Sequence, residues 1–353
     1  MCVSPVKIRN PNYGNKTDLI RKTADTESQF ICVPCGVCSE CLMKRQSDIV
    51  QRARCLALDH YIFFCTLTYD NGSIPSVVTS TGFNIYYVDF RDVQCMMKRI
   101  RKADAFGRSF LYYFVSERGK TRGRPHVHGL IFIPKKKEDD VLYTSQLETA
   151  VRKVIFKEWR RNYGSNRKPD WKPLFTYHSK YRFGQLQSNF DVHYVVPYST
   201  EKGEDDVAYY VTKYVLKPND KEKNLQSALK LNLPDDEYKQ IWKIVRSRSV
   251  CSKGFGASTE LEKDYIRSCI ELSQDDPNGF QYYSKDGTAS GLARYYRRFV
   301  SADAAVRSVA ARGGPFNIDS RSYEDKVNSM KKGKLIRTAV SNRDISEFLL
   351  FDD

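Results

Sequence analysis

The chain has 353 residues, 41% hydrophobic and 28% charged, an ordinary balance for a protein that buries a core. Its 58 Lys and Arg against 42 Asp and Glu leave a formal charge of +16, which favours polyanionic partners, nucleic acid before anionic membrane surfaces. No run approaches the roughly 20 apolar residues of a membrane span, and the opening "MCVSPVKIRNPNYGNK" lacks the apolar stretch of a secretory signal, so neither membrane insertion nor export is expected.

Residues 1–30 are polar, basic and aperiodic, and read as an irregular arm. A cysteine cluster, "CVPCGVCSEC", follows at 32–41. "CLMKRQSDIVQRARCLALDH" reads as a basic helix, with Leu42, Ile49, Cys55 and Leu56 apolar among basic residues. "YIFFCTLTYD" (61–70) is a β-branched and aromatic run ending in a turn signal, so a buried strand. In "VDFRDVQCMMKRIRKADAFG", Asp89 is a candidate N-cap and Val93, Met96, Met97 and Ile100 share one helical face, with Gly107 just beyond. Two strands, 109–119 and 126–133, flank a Gly/Arg-rich turn. A second amphipathic helix carries Leu147, Val151, Val154, Ile155 and Trp159. A strand at 184–196 and a helix at 203–218, stopped by Pro218, complete the series.

This order predicts an α+β fold, a central antiparallel sheet of split-βαβ type with helices on one face. Three parts follow: an arm with the cysteine cluster and basic helix (1–58), a core (59–220), and a mostly helical, basic C-terminal region (221–353) that holds "LARYYRRFV". The remaining cysteines, Cys55, Cys65, Cys95, Cys251 and Cys269, are scattered singly and read as small apolar residues, which favours a reducing, cytosolic setting.

The chemistry starts at "GRPHVHGLIF" (123–132). On a strand, His126 and His128 project to one side and Val127 to the other, and two neutral imidazoles side by side suit a divalent metal. Gly129 would admit a close approach of backbone or ligand. If the preceding strand forms a hairpin with this one, Glu117 adds a carboxylate, and a mixed N/O set suits Mg²⁺ or Mn²⁺ acting on phosphate. In "DDVAYYVTKYVLK", Tyr210 and Tyr214 share a helical face, and a tyrosine hydroxyl is a nucleophile toward a metal-positioned phosphodiester, with a nearby lysine stabilising charge. Thr66 and Thr68 form a hydroxyl-bearing face on the first core strand.

A strand with "TLT", a later strand with "RPHVHGLIF" and a helix with "YVTKYVLK" resemble, in order and spacing, motifs one, two and three of the HUH endonucleases. These are the rolling-circle replication initiators and their relaxase and transposase relatives. The tyrosine pair, with "MCVSPVKIRNPNYG", "VPCGVCSECLMKR", "VDFRDVQCMMKRIRK" and "ARYYRRFV", is similar to the initiators of the gokushovirus-like microviruses, small single-stranded DNA phages. The resemblance implies that His126 and His128 bind the catalytic metal and that Glu117 sits where a third polar ligand is often found. It implies two nucleophiles, Tyr210 and Tyr214, with Lys213 on the lysine often seen in that helix. The implied activity is nicking and rejoining of single-stranded DNA at a phage origin through a 5′-phosphotyrosine link, in the cytoplasm of a bacterial host. The implied partners are a host polymerase and, since no GxxxxGK[ST] phosphate loop occurs in the chain, a host helicase.

The C-x₂-C steps predict a structural zinc held by Cys35, Cys38 and Cys41, although the spacing also resembles that of iron–sulfur ligands. Similar phage sequences suggest Cys2 as the fourth ligand, with Cys32 the alternative. Two other readings stay open: an HUH transposase or plasmid relaxase, and a non-catalytic, zinc-containing nucleic-acid-binding protein.

Overall fold

The computed structural model of the chain describes residues 4–36, 38–119, 123–140, 142–175, 191–195, 220–284, 287 and 289–314. Tyr210, Lys213 and Tyr214, the expected helix at 203–218 that carries them, Cys2, and the first part of the strand expected at 184–196 lie outside these residues.

The described elements open with strand β1 (Val6–Arg9), helix α1 (Asp18–Thr23), β2 (Phe30–Val33) and α2 (Ser39–Leu56). Next come β3 (His60–Thr68), β4 (Ser76–Val78), β5 (Asn84–Tyr86), α3 (Phe90–Lys102), β6 (Leu111–Arg118), β7 (Pro125–Pro134) and α4 (Tyr143–Glu158). They continue through β8 (Arg160–Asn162), β9 (Trp171–Pro173), β10 (Asp191–Val195), α5 (Asp220–Asn232), α6 (Asp235–Val245) and β11 (Ser249–Cys251). The last are α7 (Glu260–Ser273), β12 (Gln281–Tyr283), β13 (Ala289–Gly291), a 3₁₀ turn (Arg294–Phe299) and α8 (Ala302–Ala311). No helix among the described residues is long and apolar enough to cross a membrane.

The chain divides into two compact units. The larger holds Gln46–Ser268 and Ala293–Tyr296 and is built on a five-stranded sheet of order β10-β3-β7-β6-β11, antiparallel at every step. This is the expected central antiparallel sheet. β11 was not legible in the sequence: a three-residue strand carries too little pattern, and its partner β6 lies more than 130 residues upstream.

Alternation along β3 divides its side chains between two layers. Phe63, Cys65 and Leu67 enter a core with Val127, Ile131 and Ile133 of β7, closed by Val93, Met96, Met97 and Ile100 of α3 and by Leu147, Val151 and Ile155 of α4. Ile62 and Phe64 enter a second core with Leu130 and Phe132, closed by Ile49, Ala53 and Leu56 of α2 and by Phe255. Helices therefore cover both faces, which corrects the expectation of helices on one face alone. The basic helix has an apolar stripe, and the second sheet face is as apolar as the first over half its length.

Gly129 lies opposite Phe114, and a Cβ built on it would meet that ring at 2.1 Å. The close approach expected at Gly129 is that of a core side chain, on the face away from the histidines.

The smaller unit holds Met1–Arg45, Cys269–Leu292 and Arg297–Asp353. In it β1 pairs antiparallel with β2, from Val6 opposite Val33 to Arg9 opposite Phe30. Asn10, 4% exposed, donates from its amide to the carbonyls of Asp25 and Ser28, both at 2.8 Å, and so closes the loop between the two strands.

Candidate metal centre

Register places the central group. Across β3, β7 and β6, Thr66, His128 and Val115 form one row, and Thr68, His126 and Glu117 form the next. Directly paired residues point to the same side of a sheet. Both rows therefore lie on the α2 face, where apolar cover gives way to polar side chains.

Glu117 Oε2 lies 3.3 Å from His128 Nε2 and 3.9 Å from His126 Nε2. One ligand atom from each of Glu117, His126 and His128 falls within a 4.8 Å group. The side chains are 17%, 19% and 9% exposed respectively, so the group is walled by protein yet open to solvent.

The imidazoles are oriented from behind. His126 Nδ1 lies 3.1 Å from the Arg124 carbonyl, which can only accept, so Nδ1 carries the proton and Nε2 keeps its lone pair toward Glu117. His128 Nδ1 lies 3.0 Å from Thr66 Oγ1, and its ring stacks on Phe64 at 5.6 Å between centroids. The hydroxyl face read on "TLT" thus has a specific partner, the ring of His128. The sequence carried no signal for the Arg124 carbonyl or the Phe64 stack, because both depend on where β3 and the 119–124 turn lie beside β7. Two imidazoles and a carboxylate converging from one face are a fitting donor set for a hard or borderline divalent cation.

Residues 62–219 match the model of the replication-associated protein ORF2 family, a span that opens in β3 and takes in both the histidine strand and the tyrosine motif. Replication-associated protein ORF4 of Chlamydia phage 1 is 25% identical over 278 residues, which cover 77% of this chain and 55% of that protein. Together these matches support a microvirus-like replication initiator. The chain spans about half of that relative's length, 55%. No solved structure matches significantly.

Beside the centre of this initiator-like chain stands a basic, aromatic hairpin, β8–β9. It begins directly after Trp159, whose indole Nε1 donates to the Thr68 carbonyl at 2.7 Å, and Thr68 is the residue opposite His126. The Arg99 and Arg160 guanidinium groups lie 4.8 and 4.9 Å from the Trp171 ring centre, and Arg161 and Lys172 lie 5.7 and 5.6 Å from that of Tyr163. Both rings stay exposed, Trp171 at 40% and Tyr163 at 48%. Arg161 is anchored on Asp92 of α3 through Nε at 2.9 Å, and the Tyr69 hydroxyl donates to the same carboxylate at 2.9 Å. Burial, then the Asp92 charge, push the Tyr69 phenol well above its usual range, so Tyr69 stays protonated and structural.

In the smaller unit, Cys35, Cys38 and Cys41 bring their sulfurs within a 4.8 Å group. Cys32 stands on β2 opposite Lys7 and is not part of that group. None of the described cysteines forms a disulfide.

Proposed function

We propose that this protein starts replication of a small single-stranded DNA genome by nicking and rejoining one DNA strand. The observation that carries the reading is the convergence of Glu117, His126 and His128 on an open part of the sheet, within a stretch that matches a replication-associated family. These three residues would hold Mg²⁺ or Mn²⁺. When bound, that ion would polarise the non-bridging oxygens of the scissile phosphate.

The hydroxyl oxygen of Tyr210 or Tyr214 attacks phosphorus and gives up its proton. The bond from phosphorus to the 3′ oxygen breaks, and that oxygen takes a proton to become a 3′-OH available to a host polymerase. The 5′ end stays on the tyrosine. In the reverse step a 3′-OH attacks the phosphotyrosine and frees the phenol. Two tyrosines four residues apart allow one to cut while the other is occupied, and Lys213 offsets charge developing on phosphate or phenolate. The β8–β9 hairpin, with exposed rings flanked by cations, suits a flexible single strand, whose bases stack and whose phosphates pair with Arg and Lys.

The test uses labelled single-stranded oligonucleotides tiling a candidate origin, incubated with the full chain and Mn²⁺ and resolved on a denaturing gel. A covalent protein–DNA adduct is expected. Chelator, the pair His126→Ala and His128→Ala, and the pair Tyr210→Phe and Tyr214→Phe should each abolish it. An adduct that persists in the double tyrosine variant would sink the mechanism.

A further inference from the structure

We infer a second metal site, independent of the DNA reading: Cys35, Cys38 and Cys41 hold a structural zinc ion, and Cys2 is its fourth ligand. The sulfurs of Cys35 and Cys41 lie 4.0 Å apart, and the Cys38 amide N–H donates to the Cys35 sulfur at 3.4 Å. Tetrahedral zinc with Zn–S bonds of about 2.3 Å places its sulfurs about 3.8 Å apart. The Cys35–Cys41 separation is near that value and far beyond a disulfide bond of about 2.05 Å. An amide donating to sulfur fits a thiolate, since a neutral thiol is a weak acceptor. Cys41 stands in the first turn of the 18-residue helix α2, whose N-terminal N–H groups favour the same anionic form. An iron–sulfur cluster fits less well, because its cysteines bind different irons and so stand further apart.

The fourth ligand follows from strand direction. Antiparallel pairing puts Val6 opposite Val33, so β1 begins at the end of the ladder from which β2 runs on toward Cys35. Cys2 precedes Val6 by four residues, and Cys35 follows Val33 by two. Four residues reach at most about 14 Å, ample for two residues of separation. Cys32 is held in mid-ladder opposite Lys7, apart from the triad. A zinc so held ties the start of the chain to the end of β2 and the first turn of α2.

Metal analysis of the full chain, purified without chelator, tests the site. About one zinc per chain is expected from the cysteines, and it should persist in the His126→Ala, His128→Ala variant. Cys38→Ser and Cys41→Ser should lose it. Cys2→Ser should release zinc to a chromophoric chelator far faster than Cys32→Ser or Cys251→Ser. Because serine variants can misfold, cobalt(II) exchanged into the unaltered chain gives a second readout, the intense sulfur-to-cobalt charge-transfer band and tetrahedral visible bands. Absence of zinc, a brown iron–sulfide chromophore, or a cobalt spectrum without thiolate bands overturns the zinc assignment. Zinc kept by Cys2→Ser and lost by Cys32→Ser overturns the fourth ligand.

Discussion

Thr66 touches no proposed reactant, yet its hydroxyl at 3.0 Å from Nδ1 sets which nitrogen His128 turns toward Glu117. It is a positioning residue. Replacing it with valine keeps the shape of the strand and removes the partner. Manganese affinity, measured by calorimetry, should fall about 10–100-fold in Thr66→Val, and Thr66→Ser should restore most of it. On the opposite face, Gly129 leaves room for the Phe114 ring, which a Cβ would meet at 2.1 Å. Gly129→Ala should cost about 1–3 kcal/mol or more through overpacking, read as a lower unfolding midpoint. Adding Phe114→Leu should recover part of the loss if the ring is the cause.

Among the elements, α3 shows how local signals and packing agree. Asp89 accepts from the Arg91 amide at 2.9 Å, and Val93, Met96, Met97 and Ile100 are fully buried. The cap and the stripe were legible because both are short-range features of one helix. Asp89→Ala should lower stability by about 1 kcal/mol in urea unfolding. The segment after β7 depends on a long-range pair instead. Arg108 donates to both oxygens of Asp139 at 2.9 and 3.0 Å and to the Pro134 carbonyl at 2.8 Å. These bonds, Arg108 first, hold the Asp139 carboxyl below its ordinary value of 3.8. A lowered folded-state value means that the contribution is complete above 3.8 and lost as pH falls through the folded value. The melting difference between wild type and Asp139→Asn should be constant at neutral pH and shrink only in that acid range.

For the whole molecule, the surplus of +16 makes salt the simplest probe of the nucleic-acid reading. Single-strand affinity should fall log-linearly with salt, at a slope of about −0.7 per phosphate contacted. Lys168→Glu with Lys172→Glu, in the β8–β9 segment, should make that slope shallower. An unchanged slope would place the strand elsewhere on the surface.

The sequence alone determined the central strands, the buried stripes of α3 and α4, and the shared projection of His126 and His128, since all follow from periods of two and 3.6 within one segment. It also determined which cysteines cluster, because three of them lie within seven residues. Tertiary structure decided the rest. The β6–β7 register set Glu117 opposite His126, the β3–β7 register brought Thr66 to His128, and α2 closed the second face of the sheet. The β1–β2 ladder kept Cys32 apart from the cysteine triad. In each case the partners are distant in sequence or stand on a neighbouring strand, and a single chain segment carries no pattern that records which register its neighbour adopts.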